Sequence, residues 1–89
     1  MSVRKRLAIS GHVQGVFFRD SCREQANAAG VEGSAQNLDD GRVEVVLEGD
    51  RDAVERVIEW CRQGPEGARV KSLEVDDERP RGESGFTLG

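Results

Sequence analysis

Residues 33–61 read GSAQNLDDGRVEVVLEGDRDAVERVIEWC. The turn-forming run at 38–41 separates a short polar segment from a stretch at 43–48 in which apolar and polar residues alternate, and this pattern is typical of a β-hairpin. After Asp50, which is suited to cap a helix, apolar residues recur at helical spacing as far as Cys61. Gly64 and Pro65 then end the helix. The stretch therefore predicts strand, turn, strand and helix in that order.

The segment before it predicts a strand followed by a helix. In Val3–Ser10 the residues of the two strand faces alternate loosely, and the apolar residues of the core-facing side begin at Leu7. We interpret the basic run at residues 4–6 as a solvated strand face that also raises the potential felt by anions. Good helix formers then run from Arg19 or Asp20 to Ala29, and Gly30 follows as a C-terminal cap.

The segment after Cys61 predicts one more strand and allows a short final strand at the C-terminal end. Ala68–Asp76 has the composition of a strand, but Val70 is out of phase with the apolar residues that follow, so a bulge is expected there. Residues 76–85 are predicted to form a solvated loop. The sequence also allows a short C-terminal strand at 86–88.

This order of elements defines the expected fold. Strand, helix, strand, strand, helix, strand is the split βαβ arrangement, an α+β ferredoxin-like sandwich in which two helices cover one face of an antiparallel sheet. A chain of 89 residues supports one small core, so residues 1–89 are expected to form a single domain.

Composition limits the classes of function. The net charge of −4 speaks against a nucleic-acid partner, and no stretch is long and apolar enough for a membrane span. Cys22 and Cys61 match no metal or disulfide spacing and are predicted to be buried thiols. The only histidine, His12, is expected to face solvent or support a loop. We therefore expect a cytoplasmic protein, acting as a monomer, without metal or cofactor.

The loop between the first strand and the first helix is a candidate anion site. Gly11 and Gly15 let the backbone curl, and free N–H groups at a helix N-terminus favour an anion. Arg19 stands where the helix dipole disfavours a cation, and a bound anion would remove that conflict. Pairing of Arg19 with Asp20 or a nearby glutamate is an equally open reading.

A second candidate residue is expected at the same edge of the sheet. The first two strands are joined through a crossover helix, so they run in the same direction and their C-terminal ends share one edge. Asn37 ends the second strand at this edge. If one strand lies between the first and second strands, the two strands are about 10 Å apart. Asparagine is also a common residue before a turn, and from position alone the turn reading is favoured.

These two segments resemble the two motifs of the acylphosphatase family. They are Gly11-x-Val13-Gln14-Gly15-Val16-x-Phe18-Arg19 and Gly33-x-Ala35-Gln36-Asn37-x-x-x-Gly41-x-Val43. The resemblance covers nearly the whole chain and implies the same split βαβ fold. It departs from the family pattern at Ser34, where a large aromatic residue is usual, and at the C-terminal segment, which lacks the usual basic residue and tyrosine.

The resemblance implies hydrolysis of the carboxyl-phosphate bond of a small acyl phosphate to a carboxylate and inorganic phosphate. The family's catalytic arginine and asparagine map onto Arg19 and Asn37, with Asn37 orienting water. The implied phosphate-binding loop consists of Gln14, Gly15, Val16, Phe17, Phe18 and Arg19. The alternatives are a non-catalytic anion- or small-molecule-binding module of the same fold and a carbamoyl-phosphate-handling module. An RNA-binding version is disfavoured because the third strand carries no aromatic residue.

Overall fold

The sequence patterns become seven elements in the computed structural model, which describes residues 1–89. They are β1 (Ser2–His12), α1 (Phe18–Ala29), β2 (Glu32–Asn37), β3 (Val43–Asp50), α2 (Arg51–Cys61), β4 (Arg69–Glu78) and β5 (Phe86–Leu88). The strands form one sheet in the order β4-β1-β3-β2-β5. Each helix connects two strands that are separated by a third, so the predicted split βαβ arrangement is confirmed.

The pairing of the strands sets the direction in which each one runs through the sheet. β3 is antiparallel to both β1 and β2, so β1 and β2 run in the same direction on either side of it. β4 is antiparallel to β1, and the chain then reverses and crosses to the far edge, where β5 pairs parallel with β2. The four strands of the split βαβ arrangement are antiparallel, as predicted, and the short C-terminal strand β5 adds one parallel pair, so the sheet as a whole is mixed.

The core lies between the sheet and the two helices. Leu7 and Ile9 of β1 are fully buried, together with alternate residues of β3 and the apolar stripe of α2. Between the helices the sulfur atoms of Cys22 and Cys61 lie 3.9 Å apart without a disulfide, which confirms the predicted buried thiols. The contact with Cys22, and then burial, raise the pKa of Cys61. Neither helix is long and apolar enough to cross a membrane.

Helix boundaries agree with the sequence signals, apart from details of capping. Gly30 ends α1 in the left-handed conformation, with φ 71°, as its position predicts. Asp50 occupies the N-cap position of α2, but its side chain makes no capping hydrogen bond, so the predicted side-chain cap is wrong. α2 itself ends at Cys61, and the chain reaches Gly64 and Pro65 through a turn.

The predicted irregularity of the last long strand is a bulge between β1 and β4. The register shifts between Ser10 and Gly11, where Gly11 pairs with Val70. Gly11 has φ 124°, and a Cβ atom there would lie 2.1 Å from the carbonyl oxygen of Arg69. Only glycine therefore allows the close approach of the two strands at this point.

The basic run of β1 corrects the expectation of a solvated face. Arg4 lies on the face of the sheet without helices, yet its side chain is only 3% exposed. Its guanidinium contacts the carboxylates of Glu48 at 3.0 Å, Glu78 at 2.8 Å and Glu83 at 3.1 Å. Arg6 pairs with Glu78 and Glu44, and Lys5 with Asp77. The neighbouring strands β3 and β4 supply all of these acids except Glu83, which comes from the segment after β4, so the basic cluster is neutralised within the fold.

Glu48 connects this cluster to the segment between β4 and β5. Its carboxylate accepts hydrogen bonds from the main-chain N–H groups of Arg81, Gly82 and Glu83, at 2.9, 2.7 and 3.1 Å. The N–H of Arg81 foremost, with Arg4 and the other two N–H groups, lowers the pKa of Glu48 from its ordinary 4.5 to about 2, against the effect of burial. Residues 79–85 form an exposed loop, as predicted, but main-chain hydrogen bonds anchor it to the sheet. Residues 76–78, which were also expected in the loop, belong to β4 because they continue its pairing with β1.

Replacing Glu48 with glutamine should lower the free energy of unfolding by about 2–3 kcal/mol at neutral pH, because Arg4 and three N–H groups lose a charged acceptor. A group with a lowered pKa stabilises the fold above its unfolded value, so this contribution is present above pH 4.5 and is lost toward pH 2. Urea unfolding of Glu48→Gln and the parent, at neutral pH and at about pH 3, should show the difference shrinking at the lower pH.

Glu44→Gln is the matched control, since Glu44 also lies on β3 and pairs with one arginine of β1 but is more exposed. Its cost should be about 0.5 kcal/mol. Equal losses in the two variants would contradict the special role of Glu48.

Candidate active site

A small pocket opens where the loop after β1, the first turn of α1 and the end of β2 meet. Its volume is about 220 Å³, below the range typical of drug-sized ligands and suited to a small molecule. The residues that line it come from both sequence motifs, and they are Val13, Gly15, Phe17, Phe18, Arg19, Asp20 and Asn37. The convergence of Arg19 and Asn37, which the strand directions predict, is therefore present in the structure.

The N-terminus of α1 forms one side of the pocket. Phe17 stands at the N-cap position with φ 61°, and no side chain caps the helix. The first helical hydrogen bond runs from the N–H of Ser21 to the carbonyl oxygen of Phe17, so the N–H groups before Ser21 have no acceptor within the helix. Together with the helix dipole, these groups make this side of the pocket favourable for an anion.

Arg19 is half-buried in the first turn of α1. No carboxylate side chain lies within ion-pair distance of it, and Asp20 instead approaches Arg23 at 3.8 Å. The expected alternative, in which Arg19 pairs with Asp20 or a glutamate, is therefore not what the structure contains. The Arg19 guanidinium donates a hydrogen bond to the main-chain oxygen of Gly89, just after β5. One side of the guanidinium is thereby held in place. The unpaired N–H groups at the start of α1 are further hydrogen-bond donors on the same pocket.

Asn37 is the last residue of β2, and it is exposed at the edge of the sheet. Its main chain pairs with Val43 across the hairpin, so the turn that follows does not depend on its side chain. The hydrogen bonds that shape the turn come instead from Leu38, Gly41 and Arg42. The Asn37 side chain is thus available to the pocket that it lines.

Gln14 joins the two halves of the site. Its side-chain amide donates hydrogen bonds to the carbonyl oxygens of Leu38, at 2.8 Å, and Arg42, at 3.0 Å. These two residues flank the turn directly after Asn37. Gln14 therefore fixes the distance between the loop after β1 and the end of β2, a role that its place in the sequence does not reveal.

The remaining predicted loop residues divide between pocket and core. Gly15 lines the pocket with φ 75°, a conformation that glycine adopts readily. Val16 packs against the core instead of lining the pocket. The Phe18 ring is buried and packs on Trp60, with ring centroids 5.4 Å apart. His12 is exposed and lies outside the pocket.

Sequence reasoning missed two lining residues and one contact. Val13 and Asp20 line the pocket, and their positions beside the predicted loop and arginine were the available signals. Nothing in the sequence indicates the contact between Arg19 and the main-chain oxygen of Gly89, because the two residues are 70 positions apart.

The fold and the pocket together define a class: ferredoxin-like α+β proteins with a small pocket, containing an arginine and an asparagine, at the end of two strands that run in the same direction. The acylphosphatase family model matches residues 5–88. A protein of Pyrobaculum islandicum named acylphosphatase is 58% identical over 83 residues, which cover 92% of this chain and 87% of that protein. One of Rubrobacter xylanophilus, with the same name, is 53% identical over 79 residues, covering 89% and 72%.

A solved structure agrees with these sequence matches. The structure of an acylphosphatase from Coxiella burnetii superimposes with a TM-score of 0.95 at 34% identity, covering 99% of this chain and 93% of that one. The chain therefore belongs to the acylphosphatase family. It is an enzyme that hydrolyses acyl phosphates to a carboxylate and inorganic phosphate.

Proposed function

We propose that Arg19 and the main-chain N–H groups of residues 14–19 hold the phosphoryl group of the substrate, and that Asn37 orients the attacking water. The observation that carries this proposal is the single small pocket lined by both Arg19 and Asn37. Arg19 is suited to the role because its planar guanidinium presents two parallel donors to phosphoryl oxygens. No carboxylate side chain lies within ion-pair distance of the guanidinium, and the main-chain oxygen of Gly89 accepts from only one of its nitrogen atoms.

The proposed reaction makes few demands on the protein. The carboxylate of an acyl phosphate is a good leaving group, so the bond between phosphorus and the acyl oxygen breaks without a strong general acid. The enzyme is then left with positioning the water and stabilising negative charge on the phosphoryl oxygens. The water forms the new bond to phosphorus, and its proton passes to a phosphoryl oxygen of the substrate. The products are the carboxylate and inorganic phosphate.

The proposal assigns charge stabilisation to Arg19 and to the N-terminus of α1, and neither depends on a metal ion. Release of phosphate from acetyl phosphate and benzoyl phosphate should therefore proceed at the same rate with and without a chelator. Inorganic phosphate, which fits the same donors, should inhibit competitively. Loss of activity in chelator that magnesium restores would overturn this mechanism.

The same assay bears on the competing expectation of a non-catalytic binding module. The named relatives are acylphosphatases, and nothing among them favours that alternative. A chain that binds inorganic phosphate but releases none from either substrate would be such a module.

We also propose that the enzyme works as a monomer in the cytoplasm on this small molecule alone, without nucleic acid or membrane. The two buried cysteines are free thiols, as is usual in a reducing compartment. The exposed large apolar side chains are few and lie in three separate segments: Met1 before β1, Phe17 in the loop before α1, and Val75 in β4. The net charge of −4 disfavours binding to phosphate backbones.

A further inference from the structure

Phe17 combines two unfavourable features in one residue. Its side chain is 78% exposed, although it is a large aromatic group. Its backbone has φ 61°, and it is the only residue other than glycine with a positive φ. Glycine or asparagine adopts this conformation more readily, and a polar side chain is more soluble in this position. A residue that is unfavourable on both counts indicates a use for the ring outside the fold.

The position of Phe17 suggests that use. Phe17 lines the pocket that contains Arg19 and Asn37. It also precedes the N–H groups of the first turn of α1, which form the anion-binding side. An acyl phosphate bound with its phosphoryl group at Arg19 must extend its acyl group toward the open side of the pocket. An exposed aromatic ring at that boundary offers an apolar surface for the acyl group.

A charge on the same wall narrows the choice of acyl group. Asp20 lines the pocket three residues after the N-cap position, with an exposed carboxylate that approaches Arg23 only at 3.8 Å. A negative charge there disfavours an acyl group that carries a carboxylate or a second phosphate. It has no such effect on an uncharged acyl group.

We propose that the Phe17 ring is the acyl-binding wall of the site and makes the enzyme prefer acyl phosphates with an uncharged, apolar acyl group, aromatic ones above all. This proposal rests on the proposed function, because it takes the phosphoryl group to lie at Arg19. It concerns the part of the substrate that does not react. The ring therefore acts on selectivity between acyl phosphates, while the N–H groups and Arg19 act on all of them alike.

The test compares benzoyl phosphate with acetyl phosphate in the parent, Phe17→Asn and Phe17→Tyr. Asparagine tolerates the left-handed backbone and removes the ring, whereas tyrosine keeps the ring. In Phe17→Asn, kcat/KM for benzoyl phosphate should fall about tenfold more than kcat/KM for acetyl phosphate. Phe17→Tyr should keep the parent's ratio. Inhibition by inorganic phosphate should stay within about twofold in both variants, because the phosphate has no acyl group for the ring to contact.

The ratio of the two kcat/KM values decides the outcome. If Phe17→Asn keeps the parent's ratio, the ring does not contact the acyl group and the proposal is overturned, whether or not total activity falls. If Phe17→Tyr loses the ratio as fully as Phe17→Asn, the aromatic ring is not the cause and the proposal is also overturned. Failure of the proposed function gives a different result, because the parent itself would then hydrolyse neither substrate.

Discussion

Arg19→Ala is expected to lower kcat/KM for acyl phosphates on the order of 10³-fold, the range measured for arginines that stabilise charge on a transferring phosphoryl group. Both kcat and the affinity for substrate should fall, because the guanidinium is proposed to contact phosphoryl oxygens in the ground state and in the transition state. The inhibition constant of inorganic phosphate should rise accordingly. Steady-state kinetics on benzoyl phosphate with phosphate as inhibitor measure both effects.

Two further variants separate geometry and charge from general damage. Arg19→Lys keeps the positive charge but loses the planar pair of donors, so its activity should stay far below that of the parent. Arg56→Ala removes an exposed arginine of α2 that lies beside Ala28 and Ala29, at the other end of α1, and should leave kcat/KM within about twofold. If Arg19→Ala remains folded with unchanged inhibition by phosphate, Arg19 does not hold the phosphoryl group.

Asn37→Ala is expected to lower kcat by about 10²–10³-fold, a loss typical of removing one oriented hydrogen-bonding group from a reacting centre. The inhibition constant of phosphate should change little, because Asn37 is proposed to position the water and not to bind the phosphoryl group. This split between kcat and phosphate affinity distinguishes its role from that of Arg19. The same assay at saturating substrate measures it.

Gln36→Ala is the matched control for Asn37→Ala. Gln36 is the preceding residue of β2, is also exposed, and donates a hydrogen bond to Glu44 on the opposite face of the sheet. Its removal should leave kcat within about twofold. A folded Asn37→Ala enzyme that keeps most of its kcat would show that Asn37 serves only the turn.

The sequence predicts those parts of the fold whose signals are local. The alternation of β3, the apolar stripe of α2 and the glycine after α1 each lie within one element, so each can be read without knowing the rest of the chain. The bulge in β4 was also visible, because Val70 breaks the phase of its own strand. Predicting that Arg19 and Asn37 lie in the same pocket needs one further inference, namely that two strands joined by a crossover helix run in the same direction.

Features that depend on distant partners were not visible. Arg4 lies in a run of three basic residues, which is usually a solvated face, and its burial depends on acids that are 44 to 79 positions away. The anchoring of residues 79–85 depends on Glu48, whose sequence neighbours indicate only an alternating strand. The side-chain bonds of Gln14 reach 24 and 28 positions along the chain. A glutamine in a glycine-containing loop carries no sign of such contacts.

The central place of β1 in the sheet has a consequence for folding kinetics. β1 pairs with β3 on one side and with β4 on the other, and Arg4 meets Glu78 across a separation of 74 positions. Contacts of such high sequence separation form slowly, because the entropy of closing a long loop is lost before the contact gives any stabilisation. β1, which leads into the loop before Arg19, and β2, which ends at Asn37, lie on opposite sides of β3, so the site is complete only when that strand is in place. Return of activity after dilution from denaturant therefore reports completion of the sheet and lags behind formation of the helices.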